Sequence, residues 1–323
     1  MAATRRDITT NATDAQNFVD GVMALKAIDS GFSTADLGLQ SEVGGPRQLS
    51  RWDLYPIWHY FAMQQERTTQ FRNAAHGGPV FLPWHRWFLL MLEFDIRRAL
   101  GLGRDDFGLP YWNWAADGTG FTPARQATEP QVWGIVNGDG QDGNGNLLTG
   151  PFSQADGFRV VVRQGAFGLI ATDRPLRRSF RNAGAVLPDQ DDVDRALAET
   201  AYDTAPFDET SEDSFRNLVE GWRPFTSQPS QMHNRVHVWV GGDMGPGTSP
   251  NDPVFFLNHC FIDKLWQDFQ DNPASGPYLP QGTSAPGDDL FRHREGDPLV
   301  SLLTTAQPSV AAMFDVSDFY TYV

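Results

Sequence analysis

The sequence predicts a mainly α-helical protein with long loops and little β structure. Three observations carry that expectation: apolar residues recur at helical spacing in several stretches, His233 and His237 stand four residues apart in what reads as a helical turn, and Gly/Pro-rich runs separate these stretches. In residues 14–28, Phe18, Val22, Met23 and Leu25 fall at the spacing of an amphipathic helix, and a Gly/Ser-punctuated loop follows to about Leu49. Asp53 is placed to cap a second helix carrying Trp58, His59, Phe61 and Met63, so His59 projects from a helix interior. The run Asn73-Ala74-Ala75-His76-Gly77-Gly78-Pro79 cannot form a regular helix, which puts His76 on a loop. Pro83 then starts a helix through Trp87, Leu90, Leu92, Phe94, Ile96 and Leu100, with His85 in its first turn.

Residues 117–210 are rich in Gly, Asp, Pro and Thr and read as a variable, loop-rich surface decoration, with a hairpin around 158–167 and a helix around 191–200. Residues 215–222 read as a helix. His259 opens another, running to about Phe269, before a Pro/Gly loop that reaches Asp289.

With no internal repeat, low-complexity spacer or abrupt composition shift in 323 residues, the expectation is a single domain over 1–323. Hydrophobic content of 40%, with ten Trp and 23 Phe, is ample for a large core. A formal net charge of −15 argues against nucleic acid or an anionic membrane as partner, since both would repel it. The single cysteine, Cys260, excludes an intrachain disulfide and reads as a small buried hydrophobe. No apolar run approaches the roughly 18 residues of a membrane span. Arg5-Arg6 invites a twin-arginine reading, but Asp7-Ile8-Thr9-Thr10-Asn11 follows where an apolar stretch belongs. The expectation is a cytoplasmic chain, with export alongside a signal-bearing partner left open.

Six of the seven histidines form two groups, His59, His76 and His85 upstream and His233, His237 and His259 downstream, with His293 apart and read as a surface residue. On a helix, residues four apart have Cβ atoms about 5–6 Å from each other and can share one metal ion. Two three-imidazole sites suggest a metal pair, and six neutral nitrogen ligands without a carboxylate favour copper over magnesium, manganese or non-haem iron. A zinc hydrolase would need His-Glu-x-x-His with the Glu as base, and Asn234 occupies that position.

The chain resembles the type-3 copper family of bacterial tyrosinases, catechol oxidases, o-aminophenol oxidases and haemocyanins. The likeness rests on His233-Asn234-Arg235-Val236-His237-Val238-Trp239-Val240-Gly241-Gly242, on Ser249-Pro250-Asn251-Asp252-Pro253-Val254-Phe255-Phe256 and on Pro83-Trp84-His85-Arg86, and it runs nearly end to end. It implies a central four-helix bundle holding a dinuclear copper site, one ion on His59, His76 and His85 and the other on His233, His237 and His259, with O2 as co-substrate. The implied activity is hydroxylation of monophenols and oxidation of o-diphenols to o-quinones. An o-diphenol or o-aminophenol oxidase with little monophenol hydroxylation is the alternative; an oxygen carrier of the haemocyanin type is expected to be much longer. The substrate would be a small phenol, and a copper-delivering helper protein is left open as a partner.

The resemblance also implies roles around the ligands. Asn234 and Glu220 match the pair thought to hold a water that deprotonates the phenol, with Gln228 and Gln231 as fallback neighbours because the stretch 223–232 is longer than in compact bacterial relatives. For Glu220 the alternative is a surface helix glutamate. Asp263, four residues after His259, resembles an aspartate that orients an imidazole by accepting its other N–H, against the alternative of a surface charge. Val238 matches a position near the substrate entrance, where a packing role is equally open. Asn258 replaces a non-ligand histidine, Asn113 stands where Asp is more usual, and Ala74 and Ala75 exclude the thioether crosslink of some relatives. Arg5 or Arg6 is placed either against Tyr320 and Tyr322 or in a solvated tail. With Val323 last, no C-terminal plug is expected over the site.

Overall fold

The computed structural model describes residues 2–64, 72–136, 141–222, 231–305 and 307–323. Its helices are α1 (Ala12–Ala27), α2 (Leu54–Gln64), α3 (Phe81–Leu100), α4 (Trp114–Gly120), α5 (Val132–Val136), α6 (Gln190–Leu197), α7 (Phe215–Glu220), α8 (Met232–Val240) and α9 (Val254–Asp271). The strands are short: β1 (Ala3–Arg5), β2 (Asp29–Ser33), β3 (Gln40–Ser41), β4 (Gln48–Ser50), β5 (Val160–Gln164), β6 (Leu169–Arg174) and β7 (Tyr320–Tyr322). They form three small sheets, β1–β7, β2–β4 and β3–β6–β5. Among the described residues no helix is long and apolar enough to cross a membrane.

Helices α2, α3, α8 and α9 carry five of the six grouped histidines, with His76 on the loop before α3, and aromatic packing sets the helices' distances. Phe88 of α3 lies between Trp58 of α2 (ring centroids 4.9 Å apart) and Phe256 of α9 (5.4 Å, stacked). On the outer side, α1 lies so close to α3 that a Cβ on Gly21 would come within 2.5 Å of Ile96 Cγ2, so this contact requires glycine. α3 begins two residues before Pro83, whose missing N–H falls among the first-turn groups that have no intrahelical partner. His85 is therefore the fifth residue of α3, just past the first turn, and His259 is the sixth residue of α9 rather than its opening one. α3 stops at Gly101, in the left-handed conformation at φ 67°, after the favourably placed Arg97 and Arg98.

Two expectations about caps and loops need correction. Asp53 does not cap α2: its carboxylate accepts the Ser50 N–H (2.8 Å) and hydroxyl (2.5 Å) and pairs with Lys26 (2.6 Å), which fixes the preceding turn. Residues 117–210 are not surface decoration either, because Trp133, Val136, Phe152, Phe158, Val160 and Leu176 are buried in the main core. From the same segment, the fully buried Arg178 makes a two-pronged contact with Asp252 (2.7 and 2.8 Å), and Asp252 also accepts the Val254 N–H at the start of α9. The segment thus anchors the helix that carries His259. Its hairpin extends to Arg174, beyond the 158–167 expected. Asn113 caps α4 by accepting the Ala116 N–H.

The first and last strands pair in parallel, Ala3 opposite Tyr320 and Arg5 opposite Tyr322. Arg5 is buried here: its guanidinium lies 3.4 Å from the Tyr320 ring centroid and donates to Glu93 (2.9 Å), Asp263 (3.0 Å) and the Tyr322 hydroxyl (3.1 Å). Asp263 also receives Arg86 (2.5 Å) and the hydroxyls of Tyr320 (2.5 Å) and Tyr322 (2.6 Å). Arg6 turns outward to Asp14.

Candidate metal centre

Six imidazoles meet inside the bundle. The ligating nitrogens of His59 from α2, His76 from the loop before α3 and His85 from α3 lie within 4.8 Å of one another, as do those of His233, His237 and His259. The triplets adjoin, since His85 stacks on His259 with ring centroids 4.2 Å apart.

Hydrogen bonds on the outer nitrogens decide which way the inner ones face. Nδ1 of His59 meets the Gly247 carbonyl (2.7 Å), that of His85 the Phe81 carbonyl (2.8 Å) and that of His237 the Met244 carbonyl (2.6 Å). His233 Nδ1 meets Asn234 Oδ1 at 3.0 Å, with the Glu220 carbonyl at 3.3 Å. These oxygens only accept, so each of the four rings carries its proton on Nδ1 and turns a bare Nε2 inward. Nε2 of His59 and of His85 are buried without a hydrogen-bond partner, while His233 and His237 bring Nε2 to 3.0 and 3.3 Å from His259 Nε2. Buried lone pairs such as those on Nε2 of His59 and His85 are unfavourable unless a cation occupies the point they face. The residues therefore fit a metal pair, and six nitrogen donors without a carboxylate suit copper.

Burial holds these imidazoles neutral. It lowers His59 to about 3 and His237 to about 4, and puts His76, His85, His233 and His259 well below the ordinary histidine range. In the copper-free protein the folded values lie below the unfolded value of about 6.5, so the stability tied to neutral imidazole is complete above that pH and is lost as pH falls. His59 and His237 should each remove about 1.4 kcal/mol per pH unit across that window. The thermal midpoint of copper-free protein is thus expected to hold steady above about pH 7 and fall continuously toward about pH 4. Loaded protein should keep its copper to lower pH than this and release it as the pH nears the folded values of about 3 to 4, where protons compete for the ligand nitrogens. A copper-free midpoint that rises on acidification would contradict this account.

The centre opens through a cleft bordered by His59, His76, His233 and His237, with Met63, Glu209, Trp222, Asn234, Val238 and Pro246 in its walls. Beside it, Glu220 ends α7 and is fully buried. Its Oε1 accepts the Gly77 N–H (2.6 Å) and its Oε2 accepts from Arg216 (3.2 Å), while the Trp222 side chain also hydrogen-bonds to the carboxylate. Burial raises this carboxyl to about 7 even though Arg216 and these hydrogen bonds oppose the rise. Arg216 is held in turn by Asp203, at 2.9 and 3.0 Å.

Residues 49–272 match the family described as the common central domain of tyrosinase, a span that contains all six histidines. The chain belongs to the tyrosinase family. It is 37% identical to the tyrosinase of Streptomyces antibioticus over 286 residues, 85% of this chain and 90% of that protein. It is 34% identical to grixazone synthase of Streptomyces griseus subsp. griseus over 269 residues, 78% of this chain and 82% of that one. In fold it is similar to a polyphenol oxidase of Thermothelomyces thermophila, with a TM-score of 0.69 at 21% identity over 100% of this chain and 89% of that one.

Among tyrosinase-family roles expected from the sequence, the six histidines converge as two triplets, and Asn234 and Val238 line the cleft. Glu220 is a buried neighbour of the site and not a surface glutamate. The expectation for Asp263 is corrected: its carboxylate is occupied by Arg5, Arg86, Tyr320 and Tyr322 and touches no imidazole. Backbone carbonyls and Asn234 orient His59, His85, His233 and His237 instead, while Nδ1 of His76 and of His259 has no partner among the described residues. His293 is buried, not on the surface, with Nε2 on the Asn73 carbonyl (3.0 Å) beneath the loop that bears His76. Asn258 and Gln231 are buried, and Gln228 lies outside the described residues. Sequence reasoning missed Arg216, although its place four residues before Glu220 on one helix marks it as a partner.

Proposed function

We propose that this chain oxidises small phenols with O2, hydroxylating monophenols to o-diphenols and oxidising o-diphenols to o-quinones. The observation that carries the reading is the pair of convergent histidine triplets at the base of an open cleft, with the buried carboxylate of Glu220 beside them. His59, His76 and His85 would hold one copper and His233, His237 and His259 the other. Bound copper supplies the two electrons needed to reduce O2 without a radical.

The rest of the chemistry falls to the chain itself. A monophenol has a pKa near 10, so its proton must be taken up as it binds. An ionised carboxylate offers about four lone-pair sites. Among the described residues Gly77, Arg216 and Trp222 occupy three on Glu220, which leaves room for a water. Asn234 gives its carbonyl oxygen to His233 and keeps its amide N–H groups for the cleft it lines. A water between Glu220 and Asn234 would receive the phenol proton, with the Gly77 and Arg216 contacts fixing the base at the moment of transfer.

Glu220→Gln removes the base and keeps the shape. Turnover of a monophenol relative to a catechol should fall about a hundredfold, the usual yield of a positioned base. Equal losses on both substrates would assign Glu220 to holding the His76 loop in place and not to proton transfer.

A further inference from the structure

Phenol oxidation leaves the other end of the substrate unassigned, and the wall of the cleft bears on it. Glu209, on the loop between α6 and α7, lies directly over Gly77: a Cβ there would stand 3.3 Å from Glu209 Oε1 and 3.6 Å from its Cγ. Two carboxylates therefore flank the residue that follows the ligand His76, Glu220 inside the protein and Glu209 at the mouth.

The loop is held from beneath. Asn217 Nδ2 donates to the Glu209 carbonyl (3.1 Å), Arg216 to the Asp208 carbonyl (2.8 Å), and Arg72 to the carbonyls of Pro206 (2.9 Å) and Phe207. With its backbone fixed this way, the exposed Glu209 side chain stays in the wall of the cleft. Its carboxylate makes no ion pair or hydrogen bond among the described residues, and the described residues around the cleft include no lysine or arginine. Trp222 shares the wall, with its side chain hydrogen-bonded to Glu220 and 39% of the residue exposed.

A carboxylate without a cationic partner among the described residues, sharing a cleft wall with an indole, is what a protonated amine seeks, through charge pairing and the negative face of the ring. A carboxylated substrate would meet the same charge as repulsion, on a chain already at a formal −15. We infer that Glu209 and Trp222 receive a cationic ring substituent, so that the site takes phenolic amines in preference to phenolic acids. The inference rests on the phenol-oxidase reading.

The test uses copper-loaded full-length chain with p-cresol as neutral reference, tyramine as cation and 3-(4-hydroxyphenyl)propanoate as anion. The amine should exceed the acid in kcat/KM by about tenfold, mostly through KM, and raised salt should shrink the ratio as expected for a partly exposed pair. Glu209→Gln should lower the amine-to-acid ratio about fivefold to tenfold. Phenethylamine lacks the hydroxyl and cannot be hydroxylated, so its binding, measured by calorimetry, reports the charge preference without turnover and should weaken in the same variant. A ratio unchanged in Glu209→Gln, a ratio indifferent to salt, or an equal or better acid would overturn the inference. Should the variant misfold, the salt dependence and phenethylamine binding of the natural chain decide it. If natural chain fails on p-cresol and catechol alike, the phenol-oxidase reading fails, and phenethylamine binding still tests Glu209 and Trp222.

Discussion

His259→Ala is expected to leave one copper per chain and to abolish O2-dependent phenol oxidation. The imidazole is shared packing as well as ligand: it stacks between Phe255 (centroids 4.0 Å) and His85 (4.2 Å), and its Nε2 faces those of His233 and His237. Without it, two nitrogens remain for the second ion, fewer than the three such sites use. Losing one metal of a pair forfeits several kcal/mol of charge stabilisation, about a thousandfold or more in rate. Metal analysis and the near-ultraviolet band on oxygenation measure the two effects separately, with far-ultraviolet circular dichroism confirming that the helices remain. Two coppers retained by the variant would remove His259 from the ligand set.

Asp263→Ala should cost about 3–5 kcal/mol of stability although the residue touches no imidazole. Burial alone would raise this carboxyl, yet Arg86, Arg5 and the two tyrosine hydroxyls together hold it below the usual aspartate range. Its loss leaves Arg5 and Arg86, both fully buried, with less negative charge than they need. Arg5 keeps Glu93, while Arg86 keeps Gln270 and the Met313 carbonyl, neither of them charged. Chemical denaturation of copper-free protein checks the figure, and a change under about 1 kcal/mol would show that these arginines reach water or other partners. Copper affinity should fall too, because Asp263 stands one helical turn beyond His259 on α9.

The metal ligands were legible because coordination chemistry leaves a mark in one dimension. A turn-spaced His233/His237 pair and a scarcity of other histidines suffice to group them, and the apolar periods around His59, His85 and His259 place each on a helix. What surrounds them was less legible, for physical reasons. Asp263 reads as a ligand-orienting aspartate from local spacing, yet its partners come from Arg5, Arg86, Tyr320 and Tyr322, which no local pattern connects. His293 between two arginines looks like surface, and only the fold brings it under Asn73. Residues 117–210 hide their buried aromatics among turn-forming residues, because an irregular segment buries side chains without any period to betray it. Glu209 stands in a turn-rich loop whose place over Gly77 depends on Arg72, Arg216 and Asn217.

The latch between β1 and β7 also orders events in time. Arg5 and Tyr322 are 317 positions apart, and both hold Asp263 on the helix that carries His259. A growing chain can form α9 and present His233, His237 and His259 before the ribosome has made Tyr320, with Arg5, Arg86 and Arg178 already able to hold that helix but the two tyrosine hydroxyls still missing from Asp263. Contacts between such distant positions must first offset the entropy of closing the loop and so form late. His59, His76 and His85, by contrast, come from one short stretch. Nascent chains halted before β7 are therefore expected to assemble the first copper site ahead of the second, and the hold on Asp263 is completed when β7 closes against β1.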